Sequence, residues 1–240
     1  MKIIISKIKS IPWYGWVAGI VLFGLQYGLY RLANVISVAL NFTPVCPKID
    51  AIDDLIKVIP VFVIPYIFSY VFWICGPIAV SLTSKKNFIN YLIGILSAYL
   101  VGFVIFIFFP TYMSRSEEGI IDGLGTDIFS KLLAMIYGND GGDLAFNLFP
   151  SYHCLISLYC YLGIRKQPEI AKGFKIYSGV MVILICLSTV FTKQHYFIDI
   201  VGGISISLSF ISPLYFLAKL FDFDFFFFLV YPATYKTTSY

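Results

Sequence analysis

The stretch Phe149-Pro150-Ser151-Tyr152-His153-Cys154-Leu155-Ile156-Ser157-Leu158-Tyr159-Cys160-Tyr161-Leu162-Gly163-Ile164-Arg165-Lys166 decides the fold. A proline followed by a serine suits the start of a helix. An apolar run follows, and two cations close it. A polar mouth, an apolar body and a basic end together describe a membrane-spanning helix whose long cations reach back to the interface. A span needs about 20 apolar residues, so this one is short. Snorkelling by Arg165 and Lys166, or an interfacial position for residues 144–149, makes up the length.

The rest of the chain has the same character. Mean hydropathy is +0.86, with 59% hydrophobic and only 12% charged residues. Soluble domains carry about a quarter charged residues, so this is an integral membrane protein. The net charge of +4 is modest, and no nucleic-acid partner is expected. Cys46, Cys75, Cys154, Cys160 and Cys186 form no CxxC pair. Four of them lie in apolar runs, as small hydrophobes do. Neither a disulfide framework nor a zinc site is expected, and no metal or other cofactor. Lys2, Lys7 and Lys9 precede the first apolar run, but no small-residue cleavage site follows it, so an uncleaved span is expected.

Six spans are expected, near residues 13–30, 59–82, 88–109, 150–164, 174–191 and 195–217. Trp13, Tyr14 and Trp16 form an interfacial belt. The fold class is all-α: an integral membrane bundle of six transmembrane helices, read as one domain over residues 1–240, with the active site built mainly from residues 110–203. Lysine and arginine divide eleven to six between the two sides. The richer side holds the N-terminal lysines, Lys85, Lys86, Arg165, Lys166, Lys172, Lys175, Lys219 and Lys236. Positive residues mark the cytoplasmic face, so both termini are expected inside a plasma membrane. The acidic loop 111–149 then lies outside. Within it, residues 126–137 suit an amphipathic helix lying on the membrane, with Ile128, Leu132, Leu133 and Ile136 on one side. Residues 138–143 form a flexible turn cluster. The tail 221–240 is expected in the inner interface.

This topology puts the two histidines of the chain on one leaflet, His153 at the mouth of the fourth span and His195 at the mouth of the sixth. Arg115 follows the outer end of the third. His195 and Asp199 are spaced i,i+4, on one face of a helix start. A carboxylate bonded to one imidazole nitrogen frees the other to attack. His153 then supplies a proton to the departing oxygen. Arg115 and Lys193 offset charge on phosphoryl oxygens, and Ser151 donates a hydrogen bond to them. Arg115 reads equally well as an interfacial anchor, and Lys193 as a solvated cation. Gly202-Gly203 reads as a close helix contact, and Pro60 and Pro65 as bends in the second span.

Pro150-Ser151-Tyr152-His153 resembles the Pro-Ser-Gly-His motif of the type 2 phosphatidic acid phosphatase (PAP2) superfamily. Ser188-Thr189, followed by His195 and Asp199, resembles that family's third motif: Ser-Arg, five residues, His, three residues, Asp. Arg115 stands for the first motif, with Phe108 where the family has lysine. Thr189 replaces the third-motif arginine, and Tyr152 the second-motif glycine. Asp53-Asp54-Leu55-Ile56 through Pro60, Pro65 and Tyr66 is similar to a stretch before the second span of some bacterial members. The resemblance implies a six-helix PAP2/haloperoxidase-like core without metal. It also implies His195 as the nucleophile of a phosphohistidine intermediate, Asp199 as its orienter and His153 as the acid. The expected function is a lipid phosphatase or phosphotransferase acting on a phosphate-bearing lipid at the outer leaflet. The thinned phosphate clamp is also similar to the sphingolipid-synthase branch, which transfers a head group from a phosphodiester lipid. A non-catalytic lipid carrier retaining the fold is the third alternative.

Overall fold

The computed structural model describes residues 11–121 and 123–210. The tail 221–240 and the end of the expected sixth span lie outside them. Apolar residues and helix formers dominate, and the chain answers with helices: α1 (Trp13–Ala39), the single turn α2 (Asp50–Asp53), α3 (Val63–Ser81), α4 (Lys85–Phe108), α5 (Ile128–Asn139), α6 (Tyr152–Ile164), α7 (Lys172–Phe191) and α8 (Phe197–Ser209). A 3-10 turn, Pro60–Phe62, leads into α3. Two three-residue strands, β1 (Tyr112–Ser114) and β2 (Leu144–Phe146), pair antiparallel with Met113 opposite Ala145.

The expected six spans appear as four helices long and apolar enough to cross a membrane and two shorter apolar ones, α6 and α8. The first runs nine residues past the expected end at Tyr30, to Ala39. Gln26, Arg31, Asn34 and Ser37 lower the hydropathy there without breaking the helix, and Gln26 and Ser37 are buried against the bundle. Pro60 starts the 3-10 turn and Pro65 sits in the first turn of α3, where a missing N–H costs no hydrogen bond.

Helix α6 is the hub. It packs against α3, α4, α7 and α8. Tyr152, Cys154, Leu155, Ile156, Ser157, Tyr159, Cys160 and Ile164 are buried all round it, as in a helix with no free face. Close approach comes from small residues on its neighbours. A side chain at Gly102 of α4 would run into the ring of Tyr152, and one at Gly203 of α8 into the backbone of Ser151 and Leu155. Polar contacts add to the packing. Trp73 Nε1 donates to Ser157 Oγ at 2.9 Å, Tyr152 Oη to the Tyr99 carbonyl at 2.8 Å, and Ser207 Oγ to the Leu155 carbonyl at 2.8 Å.

A second, smaller core caps the end of the bundle that carries the long loop. Val63, Met113, Ile120, Leu133, Tyr137, Ala145, Leu148 and Tyr196 form it. Asp127 starts α5 by accepting from the backbone N–H groups of Phe129 and Ser130 at 2.9 and 3.2 Å, and the Ser130 hydroxyl, followed by these bonds, holds its carboxyl below the usual range. Leu133 and Tyr137 of this helix turn inward, whereas Ile128 and Met135 stay exposed. The amphipathic face is therefore rotated from the expected one, because α5 packs on the 3-10 turn and the top of α3.

Gly203→Ala forces a methyl group into backbone that cannot swing aside. It is expected to cost about 1–3 kcal/mol and lower the melting temperature in detergent. Gly24→Ala, which meets open space, is expected to melt at or above the wild type.

Candidate functional site

The two cores meet at a cavity of about 340 Å³, and both histidines line it. His195 arrives through a tight turn. After α7 ends, Lys193 takes a left-handed conformation (φ 47°), and the N–H groups of Gln194 and His195 both return to the Thr189 carbonyl at 2.9 and 3.1 Å. Helix α8 then starts with Asp199 in its first turn. Asp199 Oδ2 accepts from the Tyr196 N–H at 2.8 Å and contacts His195 Nδ1 at 3.3 Å. The sequence-predicted pair is therefore in contact, with Asp199 wholly buried. A proton on Nδ1 leaves Nε2 as the free lone pair.

His153 follows Tyr152, the first residue of α6. Ser151 caps the helix by accepting from the Cys154 N–H at 3.4 Å, and its own N–H donates to the Asp199 carbonyl at 3.0 Å. The His153 ring stacks on Tyr66 (centroids 4.3 Å apart) and lies against Trp73 at 4.8 Å. His195 faces it edge-on at 5.7 Å. Among the described residues, His153 Nε2 is buried without a partner. A single imidazole nitrogen that is unbonded, enclosed by aromatic rings and next to a second imidazole is placed to exchange a proton with a bound molecule.

The other expected site residues lie further back. Arg115 is wholly buried and does not line the cavity. Its Nη2 donates to Asp140 Oδ2 at 3.0 Å and to Gln194 Oε1 at 3.2 Å. Its Nη1 donates to the Gly142 carbonyl, and its guanidinium stacks over the Tyr137 ring at 4.5 Å. Lys193 points away, its Nζ donating to the Asp53 carbonyl at 2.9 Å, and burial pushes its ammonium below the usual lysine range. Ser151 is wholly buried as a helix cap.

Three residues outside the motifs join the site. Gln194, held through Oε1 by Arg115, lines the cavity and keeps Nε2 buried and unpartnered. Asp140 lines it too; burial raises its carboxyl, against the pull of Arg115. Asp53 clasps the His195 turn from behind. Its Oδ1 accepts from the Phe197 N–H at 2.9 Å, its Oδ2 from the Ile49 N–H at 2.8 Å, and its carbonyl takes Lys193 Nζ. Beside it, Lys48 Nζ pairs with Asp54 at 2.8 Å and Glu118 at 3.0 Å, bonds that hold Lys48 above the usual lysine range. Glu118 in turn accepts from Tyr196 Oη at 3.2 Å. Only the similarity of the Asp53–Tyr66 stretch to other membrane sequences pointed toward this clasp. Among the described residues, no group of three or more His, Cys, Asp or Glu side chains converges as a metal site would.

Neighbouring acids offer a test of the clasp. Asp53→Ala removes the acceptor of two partly buried N–H groups, those of Ile49 and Phe197, and is expected to cost about 1–3 kcal/mol in all and to lower the melting temperature. Asp54→Ala removes one half-exposed ion pair, and is expected to stay within about 1 kcal/mol of the wild type.

No curated protein and no solved structure matches the chain. The family model of the PAP2 superfamily matches residues 56–212, which take in the two histidines, Asp199, Arg115 and the helices that hold them. That superfamily is one of helical membrane proteins with phosphatase-type, lipid-related chemistry. Spanning well over half of the 240 residues, the match shows that the chain belongs to the PAP2 superfamily.

Proposed function

We propose that the protein is a lipid phosphatase or phosphotransferase that works through a phosphohistidine on His195. The observation that carries this is the meeting of His195, backed by Asp199, with the unpartnered nitrogen of His153 in one cavity. His195 Nε2 attacks phosphorus, an N–P bond forms and the P–O bond to the leaving group breaks. The leaving oxygen takes its proton from His153. Water or an acceptor alcohol then gives its proton to His153, attacks phosphorus and breaks the N–P bond, which restores both histidines. Gln194 Nε2, aimed by Arg115, donates to a phosphoryl oxygen. The helix start at Ser151 presents further N–H groups.

The lipid enters sideways from the outer leaflet, with both termini in the cytoplasm. The eleven-to-six division of cations supports this orientation. A second reading, head-group transfer from a phosphodiester lipid, has an observation of its own. Both candidate cations are already bonded within the protein, Arg115 to Asp140 and Lys193 to Asp53. A phosphate monoester dianion requires more free positive charge than a diester monoanion does.

His195→Ala is expected to abolish turnover and the labelled phosphohistidine, while His153→Ala slows turnover by about 10²–10⁴-fold. Activity is expected to be bell-shaped in pH, since one histidine must be neutral and the other protonated. A flat profile from acid to neutral pH, or lipid transport that survives His195→Ala without any turnover, would sink the catalytic reading. Phosphate release from phosphatidic acid, set against transfer between labelled lipids, separates hydrolase from transferase.

A further inference from the structure

Beyond the histidines, the cavity continues along a wall built from α1, the end of α5 and β2. Its chemistry is unusual for a site that takes only an anion. Among the described residues, no lysine or arginine lines it, and Asp140 is its one carboxylate. Tyr27, Tyr30, Phe106 and Phe146 supply much of its surface.

Some polar atoms of this wall are already bonded within the protein. Tyr30 Oη donates to the Phe146 carbonyl at 2.6 Å, and Asn147 Nδ2 to the Tyr30 carbonyl at 3.2 Å. Gln194 Oε1 is taken by Arg115. Gln26, Tyr27 and Asn139 remain, together with Asn147 Oδ1, Gln194 Nε2 and Asp140. One oxygen of Asp140 meets Arg115, while the other has no hydrogen bond among the described residues, and the side chain is 35% exposed.

A carboxylate oxygen beside ring faces attracts a cation and repels a phosphate dianion. Resting on the reading of the two histidines as the phosphoryl-transfer pair, we propose that this wall is a head-group subsite. In it, Asp140 and the α1 tyrosines take the positively charged end of a zwitterionic phosphodiester whose phosphate lies at His195. The cation meets the Asp140 oxygen that Arg115 leaves free as the phosphate arrives, so the cavity accepts the pair more readily than either charge alone.

Binding of soluble head groups to the full-length protein in detergent, measured by calorimetry, tests this without turnover. Phosphocholine is expected to bind about tenfold more tightly than glycerol 3-phosphate, and tetramethylammonium to compete with it. Asp140→Asn is expected to erase the preference. Tyr27→Leu is expected to reduce it severalfold; the Tyr27 ring is 59% exposed, so the fold does not depend on it. Equal affinity for the two ligands, no measurable binding of phosphocholine, or a preference that survives both substitutions overturns the proposal. Preference without any phosphohistidine sinks the catalytic reading and leaves the subsite standing. Phosphohistidine without preference does the reverse.

Discussion

Asp199 carries the constraint on which the rest of the site depends. Its carboxylate bonds the Tyr196 N–H and orients His195, while its carbonyl accepts from the N–H of Ser151, the residue that starts the helix of His153. One buried residue thus sets the ring of His195, the proposed nucleophile, and the register of the second histidine. This works only because α8 approaches α6 closely, and Gly203 permits that approach. Packing of two short helices is converted in this way into the 5.7 Å separation of the imidazole rings.

Burying charge in a membrane protein is costly, and the cap over the loop end of the bundle shows how the cost is met. Arg115 has no exposure, yet it has a carboxylate, an amide, a carbonyl and a ring as partners. Its contacts draw together the 138–143 turn, the strand from which it follows and the residue preceding His195. Lys48, Glu118 and Tyr196 make a second chain of bonds behind the same turn. The His195 turn is thus held by two polar networks, with α5 laid across it through the bond from Tyr137 Oη to the Thr192 carbonyl at 2.7 Å. A loop held from several sides loses little further freedom on binding substrate, which favours preorganised chemistry.

What the sequence made legible follows from the range of each interaction. Hydropathy is local, so the long helices and the short apolar α6 and α8 could be read directly. The His195–Asp199 contact spans one helical turn and could be read from spacing. Arg115 could not be placed this way. Its charge suggested a phosphate ligand, but its partners Asp140 and Gln194 stand 25 and 79 positions along the chain. Lys193 and Asp53 are 140 residues apart, and no periodicity links them. The α1 boundary was missed for a related reason. Arg31, Asn34 and Ser37 dilute the apolar run past Tyr30, whereas the helix continues to Ala39 and buries Ser37 against the bundle.

The same distinction clarifies the departures from the family's motifs. Tyr152 stands where the second motif has glycine, and its ring fills space that Gly102 leaves open on α4. Thr189 stands where the third motif has arginine, and its carbonyl shapes the His195 turn while its hydroxyl is spent on the Cys186 carbonyl at 2.8 Å. Neither replacement adds a cation to the cavity, and the remaining motif arginine is paired with Asp140. Two motif cations are absent, at Phe108 and Thr189, and the third, Arg115, is paired with Asp140. For the proposed chemistry, less free positive charge disfavours an isolated dianion and favours a ligand that brings its own counter-charge.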